Sequence, residues 1–153
     1  MFGIICNVIC ILAILYSITD LIKNWKLFPN SVPLHFDFSG KPDNYESRYA
    51  LLIFPIISIF IFILFTFITK AITTDIQINP IDKIGKLSVL YGIEITKVTI
   101  TLTLSMLLNY ITDLILNNKE RLSKTPMIIA IISTSIIILS IVITPIIINL
   151  FVK

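Results

Sequence analysis

The chain has 153 residues, of which 56% are hydrophobic and 14% charged, with a net charge of +3 and a mean hydropathy of +0.98. A water-soluble domain carries about a quarter charged residues and under half apolar ones, so this composition argues against a soluble globule. The positive charge is small and scattered, which excludes the dense basic face that nucleic acid requires.

The first apolar run spans about residues 2–22. It lacks the basic start and small-x-small cleavage site of a signal peptide, so it reads as a retained helix. Gly3, Cys6, Cys10, Ala13 and Ser17 recur at spacings of three and four, placing small residues on one face. Such a stripe lets helix backbones approach closely in lipid and is the expected contact face. Cys6 and Cys10 are four apart on a helix, about 6 Å between Cβ atoms, too far for a disulfide. They read as packing residues.

Residues 23–49 are the expected structured loop. Lys23, Trp25, Lys26 and Phe28 form an interfacial exit from the membrane. Pro29, Pro33 and Pro42 break helix, and the run Gly40, Lys41, Pro42, Asp43 predicts a turn. The second apolar run, about 50–69, is nearly all Ile, Phe and Leu, with Pro55 near its start where a missing N–H costs least. A mixed stretch over 71–86 then predicts a short connector at the membrane surface.

The third helical pattern begins near Leu87, and the span is expected at about 92–116, with Glu94 and Lys97 at headgroup depth. At 100° per residue Glu94, Lys97, Thr101, Ser105, Asn109 and Thr112 fall within about 120°, a polar stripe on an apolar helix. In lipid it must face other helices or water. The residues Thr101, Ser105, Asn109 and Thr112 thus line either an interhelical hydrogen-bonded seam or, with Asp113, a solute path. Thr125 and Pro126 make a helix start, and a fourth span is expected over 126–152, kinked or tilted at Pro145. The fold expected is therefore all-α, a single membrane domain over 1–153 with four transmembrane helices and one structured loop.

The loop carries an ordered motif: Pro33, His35, Phe36, Gly40, Pro42, Asp43, Tyr45, Ser47 and Arg48. In that order and spacing, between two membrane spans, it resembles the motif of a bacterial membrane family, domain of unknown function 1648. Arg48 stands where the family more often has Lys, which keeps charge but not geometry. The resemblance covers the first two spans. It implies a small multi-pass protein of the bacterial cell membrane, and some relatives are similar to Sdp-type immunity proteins, which protect a cell from its own toxin. An abundance of Ile, Asn, Lys and Phe, typical of AT-rich genomes, also points to a bacterium.

Two orientation signals disagree. The loops after spans one and three hold seven Lys and Arg residues (Lys23, Lys26, Lys41, Arg48, Lys119, Arg121, Lys124). The other side holds four (Lys70, Lys83, Lys86, Lys153). The positive-inside rule then favours a cytoplasmic motif loop. The resemblance implies an external one, and the interleaved Asp37, Asp43 and Glu46 weaken the charge argument, so the external reading is taken.

His35, Asp37, Asp43 and Glu46 lack metal-ligand spacing, so no metal or other cofactor is expected. Asp43 is expected to cap the turn or pair with Arg48, and Phe36, Phe38 and Tyr45 to rest on the bilayer face. No Ser-His-Asp set or Gly-rich phosphate loop is present, so no enzyme is expected. The loop reads as a recognition or structural element whose partners, besides the bilayer, are a peptide toxin or a membrane or regulatory protein. A small transport component and a structural subunit of a membrane complex are the rival readings.

Overall fold

A computed structural model describes residues 1–37, 39–78, 83–125, 128–129, 131–139 and 142. The chain order is α1 (Phe2–Asn24), β1 (Ser31–Phe36), β2 (Pro42–Ser47), a 3-10 turn (Arg48–Leu52), α2 (Ile53–Ile78) and α3 (Lys83–Leu116). Residues 131–139 are helical as well. Three segments among the described residues are long and apolar enough to cross a membrane: Phe2–Asn24, Arg48–Asp75 and Gly85–Leu116. The fourth expected span, 126–152, lies largely outside the described residues.

Lateral contacts fix how the helices run. Along α1 and α3, Asn7 meets Lys97, Ser17 meets Ser105 and Tyr16 meets Asn109, so residue numbers rise together and the two helices are parallel. Along α2 they oppose: Phe54 shares a cluster with Leu108 and Ile111, Phe62 lies beneath Lys97, and Asp75 meets Lys86. The bundle is therefore up-down-up, and the first loop and residues 117–125 share one end. Its outward faces are apolar, with Ile4, Leu12, Ile56, Phe60 and Phe67 all exposed. In water such a surface would be an aggregation liability, whereas in hydrocarbon it is the solvated face.

The structure departs from the sequence expectation in two places. First, most of 71–86 is helix, because α2 continues to Ile78 and α3 already starts at Lys83. Threonine hydroxyls of Thr73 and Thr74 fold back on the carbonyls of Thr69 and Lys70, and an ion pair of 2.7 Å between Lys86 and Asp75 ties the two helices together. Polar residues that resembled a surface connector are thus accommodated by local bonds. At 1.5 Å per residue the 34 residues of α3 extend roughly 51 Å, well beyond a hydrocarbon core of about 30 Å.

Second, the fold is mostly helical but not all-α, since the first loop is built as an antiparallel hairpin. Ser31 pairs with Ser47, Val32 with Glu46, Pro33 with Tyr45, His35 with Asn44 and Phe36 with Pro42, with register shifts around His35. Val32, Leu34 and Phe36 alternate onto one face, as a strand requires. Val32 is fully buried, in a cluster with Leu21, Phe28, Leu51, Phe54, Leu108 and Ile111, and Leu34 and Phe36 pack at its edge. This cluster plugs the end of the bundle and holds the hairpin against it.

The turn also comes earlier than expected, around Asp37 rather than at 40–43. The Asp37 carboxylate accepts the amides of Ser39 (2.8 Å) and Lys41 (2.9 Å) and the Ser39 hydroxyl (2.7 Å). Gly40 takes φ +79°, a conformation only glycine adopts without strain. Pro42 opens β2, the position in a strand where a missing N–H is tolerated.

Candidate functional site

The hairpin divides the motif residues by role. Pro33 is buried, and Phe36 is half-buried against the apolar cluster rather than on the bilayer face. Gly40 clasps a distant loop: the Leu122 amide donates to its carbonyl at 2.7 Å, and a Cβ there would sit 2.6 Å from the Leu122 carbonyl oxygen. Ser47 precedes the 3-10 turn without capping it through its side chain. These positions build and dock the hairpin.

His35, Asp43 and Tyr45 are presented outward. The His35 Nδ1 and an Asp43 carboxylate oxygen lie 2.5 Å apart across the two strands, with side chains 71% and 44% exposed. The Asp43–Arg48 pair considered from the sequence does not form. His35 pairs with Asn44, and the shift in register beside it brings the Asp43 carboxylate to the His35 ring, whereas Arg48 has left the sheet and lies over aromatic rings next to the ends of two apolar spans. Its guanidinium carbon is 5.5 Å from the Trp25 ring centroid and 5.8 Å from that of Tyr49, and it donates to the Phe28 carbonyl at 3.5 Å. Tyr45 is exposed, while Phe38 lies outside the described residues.

Asp37 is committed to the turn. Hydrogen bonds from the Ser39 hydroxyl and then the Lys41 amide stabilise its charged form and lower its pKa below the ordinary carboxylate value of 3.8. Among the described residues no group of three or more His, Cys, Asp or Glu is placed to hold a metal ion.

The polar stripe of α3 faces α1 and meets its small-residue face. Cys6, Cys10, Ala13 and Ser17 are buried there, opposite Thr101, Ser105 and Thr112; both cysteines are free thiols. Ser105 donates to the Ala13 carbonyl at 3.2 Å and accepts from the Ser17 hydroxyl at 2.8 Å. Thr101 folds back on the Lys97 carbonyl, and Asn109 donates to the Tyr16 hydroxyl. The Thr112 hydroxyl is buried without a partner among the described residues. A groove of about 490 Å³ opens beside this seam, lined by Leu12, Tyr16, Met106 and Tyr110 among others. Asp113 is not part of it, being held by Lys119 and Asn117.

Glu94 and Lys97 are not at the headgroups but inside the bundle. Lys97 is fully buried, 2.8 Å from Glu94, and donates to the Asn7 side-chain carbonyl at 2.6 Å. The Phe62 ring of α2 closes over the ammonium at 5.7 Å, and Gly3 lets α1 lie against the Glu94 carboxylate. Charges one turn apart on a single helix look solvated until neighbouring helices cover them. Asn7, unremarked in the sequence, completes this site; an amide between Gly3 and Cys10 on the small-residue stripe was the available signal.

Three helices of this length and apolarity, with hydrocarbon-compatible outer faces and a capped polar interior, define a protein of the membrane class. The family model described as Domain of unknown function (DUF1648) matches residues 8–59, from α1 through the hairpin into α2, which bears out the resemblance read from the motif. No curated protein and no solved structure matches the chain.

Proposed function

We propose that this is a non-enzymatic, multi-pass protein of the bacterial cell membrane, with four crossings, whose hairpin recognises a ligand outside the cell. The recognition surface is His35, Asp43 and Tyr45. The ligand class that fits best is a peptide toxin, in an immunity or signalling role. One observation carries the reading: within a hairpin otherwise docked through Val32, Phe36 and Gly40, the His35–Asp43 pair is exposed and carries none of that packing. A polar pair held in a defined geometry on a rigid support is what ligand binding needs.

The experiment has two arms. Glu46→Cys, in a background of Cys6→Ala and Cys10→Ala, is labelled in intact cells by a membrane-impermeant maleimide if the hairpin is external; labelling only after lysis removes the external-ligand reading. His35→Ala and Asp43→Ala are then expected to abolish protection of cells against the toxin while membrane levels stay at wild type. Protection that persists in both variants refutes the assigned surface. The transport alternative draws less support, because the hydroxyls of Thr101, Ser105 and Ser17 are committed to carbonyls and to each other, which leaves Thr112 as the seam hydroxyl without a partner among the described residues.

A further inference from the structure

The aromatic and basic cluster at the bundle end has a chemistry that hairpin recognition does not use. Trp25 follows the last turn of α1 and Tyr49 stands at the entry to α2, their ring centroids 5.5 Å apart; Phe28 meets Trp25 edge-on at 6.4 Å. This is the level at which one span leaves the lipid and the next enters it, where Trp and Tyr rings settle among headgroups. The Arg48 guanidinium lies against both rings. Of its five N–H donors, one is directed at the Phe28 carbonyl, and among the described residues no carboxylate pairs with it.

Contact with two rings restrains the guanidinium while no carboxylate takes its donors among the described residues, and a guanidinium with free donors can grip a phosphate through two parallel hydrogen bonds. Lys23 and Lys26, both exposed and within two residues of Trp25, add positive potential inside one Debye length. The neighbouring acid on α1, Asp20, accepts from Asn24 through one carboxylate oxygen, and its other oxygen is buried without a partner among the described residues. A zwitterionic choline headgroup would bring a cation against three bases, whereas a glycerol headgroup would not.

We propose that Trp25, Arg48 and Tyr49 form a binding site for the phosphodiester of an anionic phospholipid, such as phosphatidylglycerol. The site is separate from the surface proposed for ligand recognition, so each stands or falls alone. Arg48 thereby pins the hairpin base to the headgroup layer.

The test uses the full chain in neutral detergent, offered equal amounts of phosphatidylglycerol and phosphatidylcholine, with retained lipid read by native mass spectrometry. Wild type is expected to keep the anionic lipid by about tenfold, the worth of one charge-assisted contact. Arg48→Gln should erase that preference with helicity unchanged, and His35→Ala should leave it intact. Trp25, the chain's one tryptophan, gives a second readout: its emission should shift on adding phosphatidylglycerol and not on adding inorganic phosphate. Equal retention of the two lipids by wild type overturns the proposal, as does an unchanged preference in folded Arg48→Gln. A response to inorganic phosphate equal to that for lipid also overturns it. If Arg48→Gln does not fold, Arg48→Lys decides: it keeps charge but not the fork, so a reduced preference is expected and an undiminished one refutes the site.

Discussion

The seam between α1 and α3 and the hairpin at the bundle end are the two polar regions of an apolar chain, and they use polarity in opposite ways. In the seam, polar side chains are turned inward and most bind other protein groups: Lys97 with Glu94 and Asn7, Ser17 with Ser105. In the hairpin, apolar residues are turned inward and His35, Asp43 and Tyr45 face out. In hydrocarbon an unsatisfied polar group has no water to fall back on, so interior polarity must be closed on itself. At the surface water is always available, and polar geometry is free for recognition. Stability should therefore respond to the first region and ligand binding to the second.

The sharpest way to break this contrast is Lys97→Met. It leaves the buried Glu94 carboxylate without its cation, and the loss of one partner of a buried pair costs about 3–5 kcal/mol. Unfolding in mixed micelles on titration with sodium dodecyl sulfate should show a stability loss of that size. A change below 1 kcal/mol would mean that Lys97 escapes to a headgroup. Gly40→Ala comes next. Left-handed backbone costs a non-glycine residue about 1–2 kcal/mol, and the added methyl also collides with the Leu122 carbonyl. Faster proteolysis of the loop over 117–125 is expected, with the helices intact. Ser105→Ala removes the bond to Ala13 and the one from Ser17 and should cost about 1 kcal/mol, at about 0.6 kcal/mol for each interhelical hydrogen bond in a membrane. His35→Ala should change stability by less than about 0.5 kcal/mol, so thermal unfolding in detergent is expected to match wild type while the recognition proposed for the hairpin fails.

The smallest effect is a pH dependence at the hairpin tip. Asp37 has a folded-state pKa below 3.8, so its contribution is present above the unfolded value and is lost as pH falls through the lower folded one. Amide hydrogen exchange at Ser39 and Lys41 should lose protection only in that acid range. Asp37→Asn should remove this acid dependence.

Much of the helical part was legible because its signals are local. The small-residue stripe of α1 and the polar stripe of α3 were visible as spacings, and the structure sets one against the other. The motif was legible by order and spacing. Its hairpin was not, since Pro33 and Pro42 read as breakers of regular structure and the register shifts around His35 obscure the alternation of a strand. The burial of Glu94 and Lys97 was hidden for another reason. Depth within a bundle belongs to the neighbours, Asn7 and Phe62, which one helical pattern does not contain. The partner of Arg48 was misjudged on similar grounds, because sequence distance put Asp43 nearby while tertiary placement put Trp25 there.

The clasp between Gly40 and Leu122 bears on the boundaries of the family segment. Residues 8–59 end before α3 begins, yet their apolar cluster is completed by Leu108 and Ile111, and their turn is latched by an amide from further along still. Excised alone, that stretch would be a plug without its socket, with Val32 and Leu51 bared and the Gly40 carbonyl vacant. In this chain the matched stretch is thus closed by residues that lie beyond it, in α3 and the segment after it.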